Sequence, residues 1–228
     1  IAGMVCPGNG QGAEPVPRGF EHASRRRAGA FAYPLGIIGN LILIRGFAQS
    51  PYFPYKRYMD LIVSNLQGAD GAEPHLAEAA FGGRRYRCAI GRTGIKAVKS
   101  EGDGASPTGA FRLIQALFRP DRMAAPDTRL DSAALSREDG WCDDPGHADY
   151  NRAVTLPHPA RCETMWRDDG LYDIVVITDH NSDPVVSGDG SGIFVHVAGS
   201  ADYPPTRGCV AFAPGDLIEI LKDWNPEE

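Results

Sequence analysis

The sequence predicts a mainly β domain with a few short helices, and three observations lead to this expectation. The chain has 228 residues, enough for one large domain with a proper hydrophobic core. Its apolar residues fall in short runs that Gly, Pro, Asp and Asn interrupt, as is typical of strands. Helical periodicity is weak except near the C-terminus.

Five apolar runs carry the strand prediction, because none of them is long enough for an average helix. They cover residues 59–64, 84–90, 109–118, 172–178 and 192–197. One helix is predicted over residues 216–224, where Leu217, Ile218, Leu221 and Trp224 fall on one face. Residues 120–159 are polar and turn-rich, a pattern that is often a functional insertion or a lid.

Composition and charge exclude several classes of protein. Hydrophobic residues make up 43% of the chain and the mean hydropathy is -0.27, which fits neither a disordered chain nor a multi-span membrane protein. A net charge of -6 argues against binding nucleic acid by neutralising phosphates. Residues 1–58 carry seven basic and two acidic residues, a charge of +5, so the remainder carries -11. We therefore expect an N-terminal extension over 1–58 and a separate domain over 59–228.

The N-terminal extension has the layout of an export signal. Three consecutive arginines at 25–27 precede an apolar run at 28–44 and a small-residue boundary near Ala48. The alternatives are a buried β-hairpin or an upstream segment with no role in the fold. An export signal would direct the domain to the periplasm or cell envelope, with membrane contact only through this segment.

Five cysteines are present, and their spacing contains neither a CxxC pair nor a Cys/His zinc pattern. We therefore expect no metal site. The odd number leaves at least one thiol unpaired within the chain. Cys142 and Cys162 could form a disulfide in an exported domain, whereas Cys88 lies in a strand pattern and is expected in the core.

The most informative segment contains a histidine and a cysteine in suitable surroundings. His196 ends an apolar strand, and Cys209 follows Gly208, where the backbone can turn tightly and expose N–H groups. Such a pair can act as general base and nucleophile. Arg207 could lower the thiol pKa or bind a substrate carboxylate. The alternative is a core cysteine and a structural histidine.

Two segments together resemble a known family. Residues 196–211 are similar to the signature of the L,D-transpeptidase (YkuD-type) catalytic domain, in which a His and a loop precede Ser/Thr-His-Gly-Cys. Residues 91–94 and 102–111 are similar to the Gly-rich, Pro-x-Gly-x-Phe stretch upstream of it. The resemblance extends over residues 59–221 and implies a mixed β-sheet sandwich.

The chain departs from the usual motif, with Arg207 in place of the second His, Ala211 in place of a polar residue, and a shorter His-to-Cys loop. It looks most like a divergent branch that has Thr-x-Gly-Cys-Val-Ala, together with Trp-Cys-Asp-Asp-Pro at 141–145 and Tyr-Asn-Arg at 150–152. That branch is similar to enzymes that use L-Ala as well as diaminopimelate as the acyl donor.

The resemblance implies a role for each residue of the signature. Cys209 would be the nucleophile and His196 its base, with oxyanion N–H groups from Gly208 and Cys209. Arg207 would bind substrate or stabilise the thiolate, and Thr206 would orient the loop. The implied activity is a periplasmic L,D-transpeptidase that acts on peptidoglycan stem peptides and requires no metal or organic cofactor. The alternatives are an L,D-carboxypeptidase or endopeptidase, or a non-catalytic cell-wall-binding module.

A second set of residues could line a cleft for the stem peptide, since polar groups beside an aromatic wall suit such a ligand. These are Trp141, Asp143, Asp144, Tyr150, Asn151 and Arg152. The alternative is a hydrogen-bonded turn. The adjacent carboxylates of Asp143 and Asp144 point to different sides of an extended chain, which disfavours an acid/base pair. His180 ends a strand and is expected to be a loop residue.

Overall fold

The computed structural model describes residues 41–45, 47–48, 57–58, 60–66 and 73–226. These residues form sixteen strands and one α-helix. The elements are β1 (Leu41–Arg45), β2 (Phe47–Ala48), β3 (Arg57–Tyr58), β4 (Leu61–Asn65), β5 (Leu76–Phe81), β6 (Arg84–Ala89), β7 (Ile95–Lys96), β8 (Ser106–Pro107), β9 (Gly109–Phe118), β10 (Ser132–Ala134), β11 (Asp139–Cys142), β12 (Ala153–Thr155), β13 (Cys162–Thr164), β14 (Ile174–Thr178), β15 (Phe194–Val197), β16 (Val210–Phe212) and α1 (Pro214–Asp223).

Nine strands form the main sheet, in the order β1-β4-β5-β6-β16-β15-β14-β9-β10. β1 pairs antiparallel with β4 and parallel with β9, so the sheet closes on itself like a barrel. β15 and β16 are also parallel, whereas most other neighbours are antiparallel. The prediction of a mainly β, mixed-sheet domain is therefore confirmed. Where the resemblance implies a sandwich, the structure has one continuous sheet that closes on itself.

β1 lies within the segment that the charge pattern separates from the domain. Ile42 and Ile44 are buried while Leu41 and Leu43 are half-buried, which is the alternation of a strand between a core and a covering surface. The apolar run at 28–44 therefore contributes its last residues to the sheet. Residues 1–40 lie outside the described part of the chain, and their role as an export signal stays a prediction.

Both faces of the main sheet are covered, as β14 demonstrates. Ile174 and Val176 pack into one cluster with α1 and Trp224, and the Trp224 ring stacks on Phe81 with 5.7 Å between centroids. The alternate residue Val175 packs on the opposite face. Because both sides of the strand are buried, its sequence is continuously apolar. In the described residues, no helix is long and apolar enough to cross a membrane.

A small sheet of three strands, β12-β11-β13, covers the face that holds Val175. It arises from the segment expected to be an insertion, together with the residues that follow it. Trp141 on β11 packs edge-on against Phe194 on β15, with 5.0 Å between ring centroids. Cys209 belongs to the same apolar cluster, which we call the site face: Leu117, Leu135, Trp141, Met165, Tyr172, Val175, Ile177, Phe194 and Cys209.

Candidate active site

The position of Cys209 is set by the parallel pairing of β15 and β16. In this register Val195 lies opposite Val210, and His196 lies opposite Ala211. Val195 and Val210 point to the opposite core, so alternation places Phe194, His196 and Cys209 on the site face. The structure thus brings the predicted base and the predicted nucleophile to one face of two neighbouring strands.

The thiol of Cys209 is held by the backbone of the strand beside it. Sγ donates to the carbonyl of Gly192 at 3.2 Å and accepts from the N–H of Phe194 at 3.3 Å. The residue is only 8% exposed. Burial raises the pKa of Cys209 to about 12, because a thiolate would lose its hydration here. The resting thiol is therefore protonated at neutral pH.

His196 is oriented through its own strand. Its Nδ1 lies 2.8 Å from the carbonyl oxygen of Val197, which can only accept, so Nδ1 carries the proton and Nε2 has the free lone pair. The ring packs edge-on against Tyr172, with 5.5 Å between centroids. Burial lowers the pKa of His196 to about 4. Among the described residues, the imidazole makes no hydrogen bond with the Cys209 thiol, and both groups are neutral.

The turn before Cys209 is fixed by Thr206. Its hydroxyl accepts from the N–H of Gly208 at 3.1 Å and donates to the carbonyl of Cys209 at 2.7 Å. The N–H of Gly208 is thus already engaged, which leaves the N–H of Cys209 as the better candidate for an oxyanion donor. Arg207, between them, is exposed, and its side chain makes no hydrogen bond or ion pair within the described residues.

Gly208 is required by the close approach of a second segment. Its φ is +141°, and a Cβ there would lie 2.7 Å from the carbonyl oxygen of Ala105. The hydroxyl of Ser106 donates to the carbonyl of Gly208 at 2.7 Å and accepts from the N–H of Gly91 at 2.9 Å. The two sequence segments that carry the family resemblance therefore meet directly behind Cys209.

Asn151, predicted to line a cleft, is the centre of a hydrogen-bond network that includes Trp141 and Gly192. Its Oδ1 accepts from Trp141 Nε1 at 3.0 Å and from the N–H of Gly192 at 2.9 Å. Its Nδ2 donates to the carbonyls of His180 and Asn181 at 3.0 and 2.8 Å. Because the carbonyl of Gly192 receives the Cys209 thiol, Asn151 positions the nucleophile indirectly.

The remaining predicted binding residues lie in other surroundings. Tyr150 and Arg152 line a cleft of about 380 Å³ whose lining does not include Cys209. The Tyr150 hydroxyl donates to Glu101 Oε2 at 2.5 Å, and burial together with this carboxylate raises its pKa. Asp143 pairs with Arg161 at 2.9 Å.

Two residues near these have local structural roles. The carboxylate of Asp144 accepts from the N–H of Gly146 at 3.0 Å, as in a capped turn. Nε2 of His180 lies 3.2 Å from the carbonyl of Asp189, so His180 belongs to its own loop, as expected.

Sequence reasoning missed a charged cluster beside the thiol. Glu163 Oε1 accepts from the Tyr172 hydroxyl at 2.9 Å and pairs with Arg167 at 3.0 Å. Burial raises the pKa of Glu163, opposed by Tyr172, Arg167 and the nearby charge of Arg207. No motif contains these residues, and they come together because Tyr172, just before β14, reaches Glu163 on β13.

A group of potential metal ligands is also present, against the expectation from cysteine spacing. Cys142, His158 and Cys162 each place a ligand atom within 4.8 Å of the others. They lie on and beside β11 and β13, and none of them contacts the Cys209 thiol by a hydrogen bond in the described residues.

Comparison with known proteins gives one informative result. A family model described as YkuD, L,D-transpeptidase catalytic domain, matches residues 79–226. This range includes the turn at 206–209, His196 and the Gly-rich segment behind them. No curated protein and no solved structure matches the chain.

Proposed function

Because the chain belongs to the L,D-transpeptidase (YkuD) catalytic domain family, we propose that it cross-links peptidoglycan stem peptides through a thioester on Cys209. This proposal rests on the arrangement of Cys209 and His196. A buried thiol and a neutral imidazole with a free Nε2 lie on one face of adjacent strands. Peptidoglycan is the substrate class of the family, whose members typically act in the cell envelope.

The first half of the reaction forms the thioester. The thiol leaves the Gly192 carbonyl and gives its proton to Nε2 of His196 as Sγ attacks the L-centre carbonyl carbon of the donor stem. The C–N bond to the following D-residue breaks, and the imidazolium returns the proton to the leaving amine. Since thiol and imidazole begin neutral, the proton moves during the attack rather than before it.

The second half transfers the acyl group. The amine of an acceptor stem attacks the thioester, gives a proton to His196, and releases Cys209, which recovers its proton from the imidazolium. In both halves the N–H of Cys209 stabilises the oxyanion. Thr206 supports this function by holding the carbonyl of Cys209 and the N–H of Gly208 in a fixed turn.

Arg207 is proposed to bind a carboxylate of the stem peptide. It is exposed beside the nucleophile and has no ion-pair partner in the described part of the chain, so its guanidinium is available for a bidentate contact. The distance from this bound carboxylate to Sγ of Cys209 would then decide whether the donor residue is diaminopimelate or L-Ala. Transfer to an amine rather than water requires that the acceptor exclude water from the thioester, to which the apolar Trp141 and Phe194 contribute.

The test is to incubate purified muropeptide monomers with the full chain and to analyse the products by mass spectrometry. We expect cross-linked dimers with the unmodified protein and with Cys88→Ala, a control that removes a buried thiol on β6. We expect none with Cys209→Ala. Fragmentation of the dimers identifies the donor residue.

Two other outcomes would replace the proposal. Shortened monomers without dimers would make the protein a carboxypeptidase or endopeptidase that uses the same thiol. Unchanged monomers, together with no acylation of Cys209 by a carbapenem, would indicate a cell-wall-binding module without catalysis.

A further inference from the structure

Three side chains of the small sheet converge outside the proposed catalytic machinery. Cys142 on β11 and Cys162 on β13 are directly opposite each other in the antiparallel pairing. His158 precedes β13 and turns back toward them. The two sulfurs and an imidazole nitrogen all lie within 4.8 Å of one another. Cys142 and Cys162, which could pair as a disulfide in an exported domain, are both free thiols in the structure. Their spacing shows no zinc pattern, because strand pairing rather than sequence proximity brings them together.

The distances suit a tetrahedral cation. A zinc ion with bonds of about 2.3 Å to sulfur and about 2.0 Å to nitrogen holds these two atoms about 3.5 Å apart. Sγ of Cys162 lies 3.5 Å from Nδ1 of His158. Thiolate and imidazole are ligands that zinc and similar ions prefer over magnesium or calcium.

His158 also has a carboxylate partner of the kind that usually orients a metal-bound histidine. Its other nitrogen, Nε2, lies 3.2 Å from Oδ2 of Asp149, the carboxylate–histidine arrangement that commonly orients metal-bound imidazole. The ring of His147 packs edge-on against it, with 5.1 Å between centroids. The N–H of Ala160 donates to Nδ1 at 3.2 Å, and an ion would replace this contact.

We propose that Cys142, His158 and Cys162 bind one divalent cation of the zinc class. On binding, the two thiols release their protons to solvent, two metal–sulfur bonds and one metal–nitrogen bond form, and the ion loses water from these positions. A fourth position remains for water. This proposal is independent of the reaction assigned to Cys209.

Such an ion would stiffen the support of the nucleophile. The carbonyl of Cys142 accepts from the N–H of Asn151 at 2.8 Å, and its N–H donates to the carbonyl of Arg152 at 2.9 Å. Asn151 in turn holds Gly192, the acceptor of the Cys209 thiol. The ion would therefore fix β11, β13 and the loop that contains Asp149 as one unit.

The test is a cobalt titration of the full-length Cys209→Ala protein under reducing conditions, since this background removes the proposed nucleophile as a competing thiol. We expect thiolate-to-cobalt charge-transfer and tetrahedral d–d absorption that saturates at one Co²⁺ per chain and disappears on addition of Zn²⁺. Adding Cys88→Ala leaves these bands, whereas Cys162→Ser removes them. Asp149→Asn weakens cobalt affinity about 10- to 100-fold, as loss of a supporting carboxylate does.

A second measurement uses the unmodified protein, so that its result does not depend on variants that fail to fold. In the unmodified protein, Zn²⁺ is expected to slow alkylation of the half-buried Cys162 at least about tenfold. Equal alkylation rates with and without Zn²⁺, or bands that survive in Cys162→Ser, would overturn the proposal. So would a reduced protein that takes up no metal but forms a Cys142–Cys162 disulfide when oxidised glutathione is added.

Discussion

At the scale of single residues, the chemistry of Cys209 is governed by desolvation rather than by a neighbouring charge. Burial is the largest influence on both Cys209 and His196, and it moves their pKa values apart, to about 12 and about 4. An imidazolium–thiolate pair is therefore disfavoured in the resting protein. In the proposed reaction, the thiol becomes nucleophilic only when a substrate occupies the site and His196 accepts its proton.

The pH dependence of Cys209 alkylation follows from this. We expect the rate with iodoacetamide to rise about tenfold per pH unit from pH 7 to 10 without a plateau, because the thiolate fraction grows until the pKa is reached. In urea-unfolded protein the rate should level off above about pH 9. Peptide mass spectrometry separates Cys209 from the other cysteines. A plateau near neutral pH in the folded protein would instead reveal an ion pair with His196.

The same shift affects stability, and its sign can be stated. The folded pKa of Cys209 lies above its unfolded value, so the unfolded chain loses this proton first as the pH rises. The contribution of the protonated thiol to stability is fully present below about pH 9 and is lost as the pH rises toward 12. Alkylation should therefore be measured with circular dichroism alongside, to confirm that the protein stays folded.

At the scale of elements, the turn at 206–209 depends on a segment far away in sequence. Ser106, on β8, connects the N–H of Gly91 to the carbonyl of Gly208 through one buried hydroxyl. Thr206 adds backbone hydrogen bonds to the residues on either side of Gly91. The Gly-rich stretch and the cysteine motif are therefore one structural unit.

Ser106→Ala is expected to leave two buried backbone groups without a partner. We predict a loss of about 1–3 kcal/mol in the free energy of unfolding, measured by urea denaturation. Muropeptide cross-linking should also fall, because the turn that carries Cys209 loses its support. Ser100→Ala is the matched control, since Ser100 is exposed and its hydroxyl forms no hydrogen bond in the described residues. Equal stability of the two variants would contradict this role for Ser106.

The sequence identified an element best where residue propensity and the length of the run both indicated the same kind of element. The run at 109–118 coincides with β9, and the predicted helix overlaps α1. β5 was missed because its sequence, LAEAAF, consists mainly of residues that disfavour strands, although every second side chain is buried. Here tertiary packing outweighs propensity, which no local pattern reports.

The site was predictable where a motif is contiguous and not where it is assembled by packing. Gly208 and Cys209 are adjacent, and the parallel register of β15 and β16 places His196 on the same face as Cys209. Glu163 on β13, by contrast, acts on the thiol only through its charge, which adds to burial in raising the pKa of Cys209. The effect of Glu163 on the pKa of Cys209 therefore depends on how the whole domain folds.

At the scale of the whole molecule, β1 closes the main sheet between β4 and β9. It pairs with β4 on one side and β9 on the other, and thereby joins strands from distant parts of the chain. Without it, both neighbours would present unpaired backbone groups, which promote aggregation. Residues 41–45 are therefore part of the main sheet of the domain.

Ile44→Ala tests this role. Ile44 is 1% exposed in the core, and its truncation is expected to cost about 2–5 kcal/mol, seen as a lower urea midpoint. Ile62→Ala on the neighbouring β4 is the matched control, because Ile62 is 40% exposed and should change stability little. If both variants unfold at the same urea concentration, β1 does not complete the core.

The parallel pairing of β15 and β16 has a consequence for how such domains diversify. Register between the two strands fixes where His196 and Cys209 stand, so the length of the connection at 198–205 does not enter into their separation. Evolution is free to lengthen, shorten or replace this connection while the reactive groups keep their relation. The short interval in this chain therefore leaves the register of the strands that carry His196 and Cys209 unchanged. Under the proposed function, loop libraries inserted at 198–205 are expected to change which acceptor stem is used while the strand register stays the same.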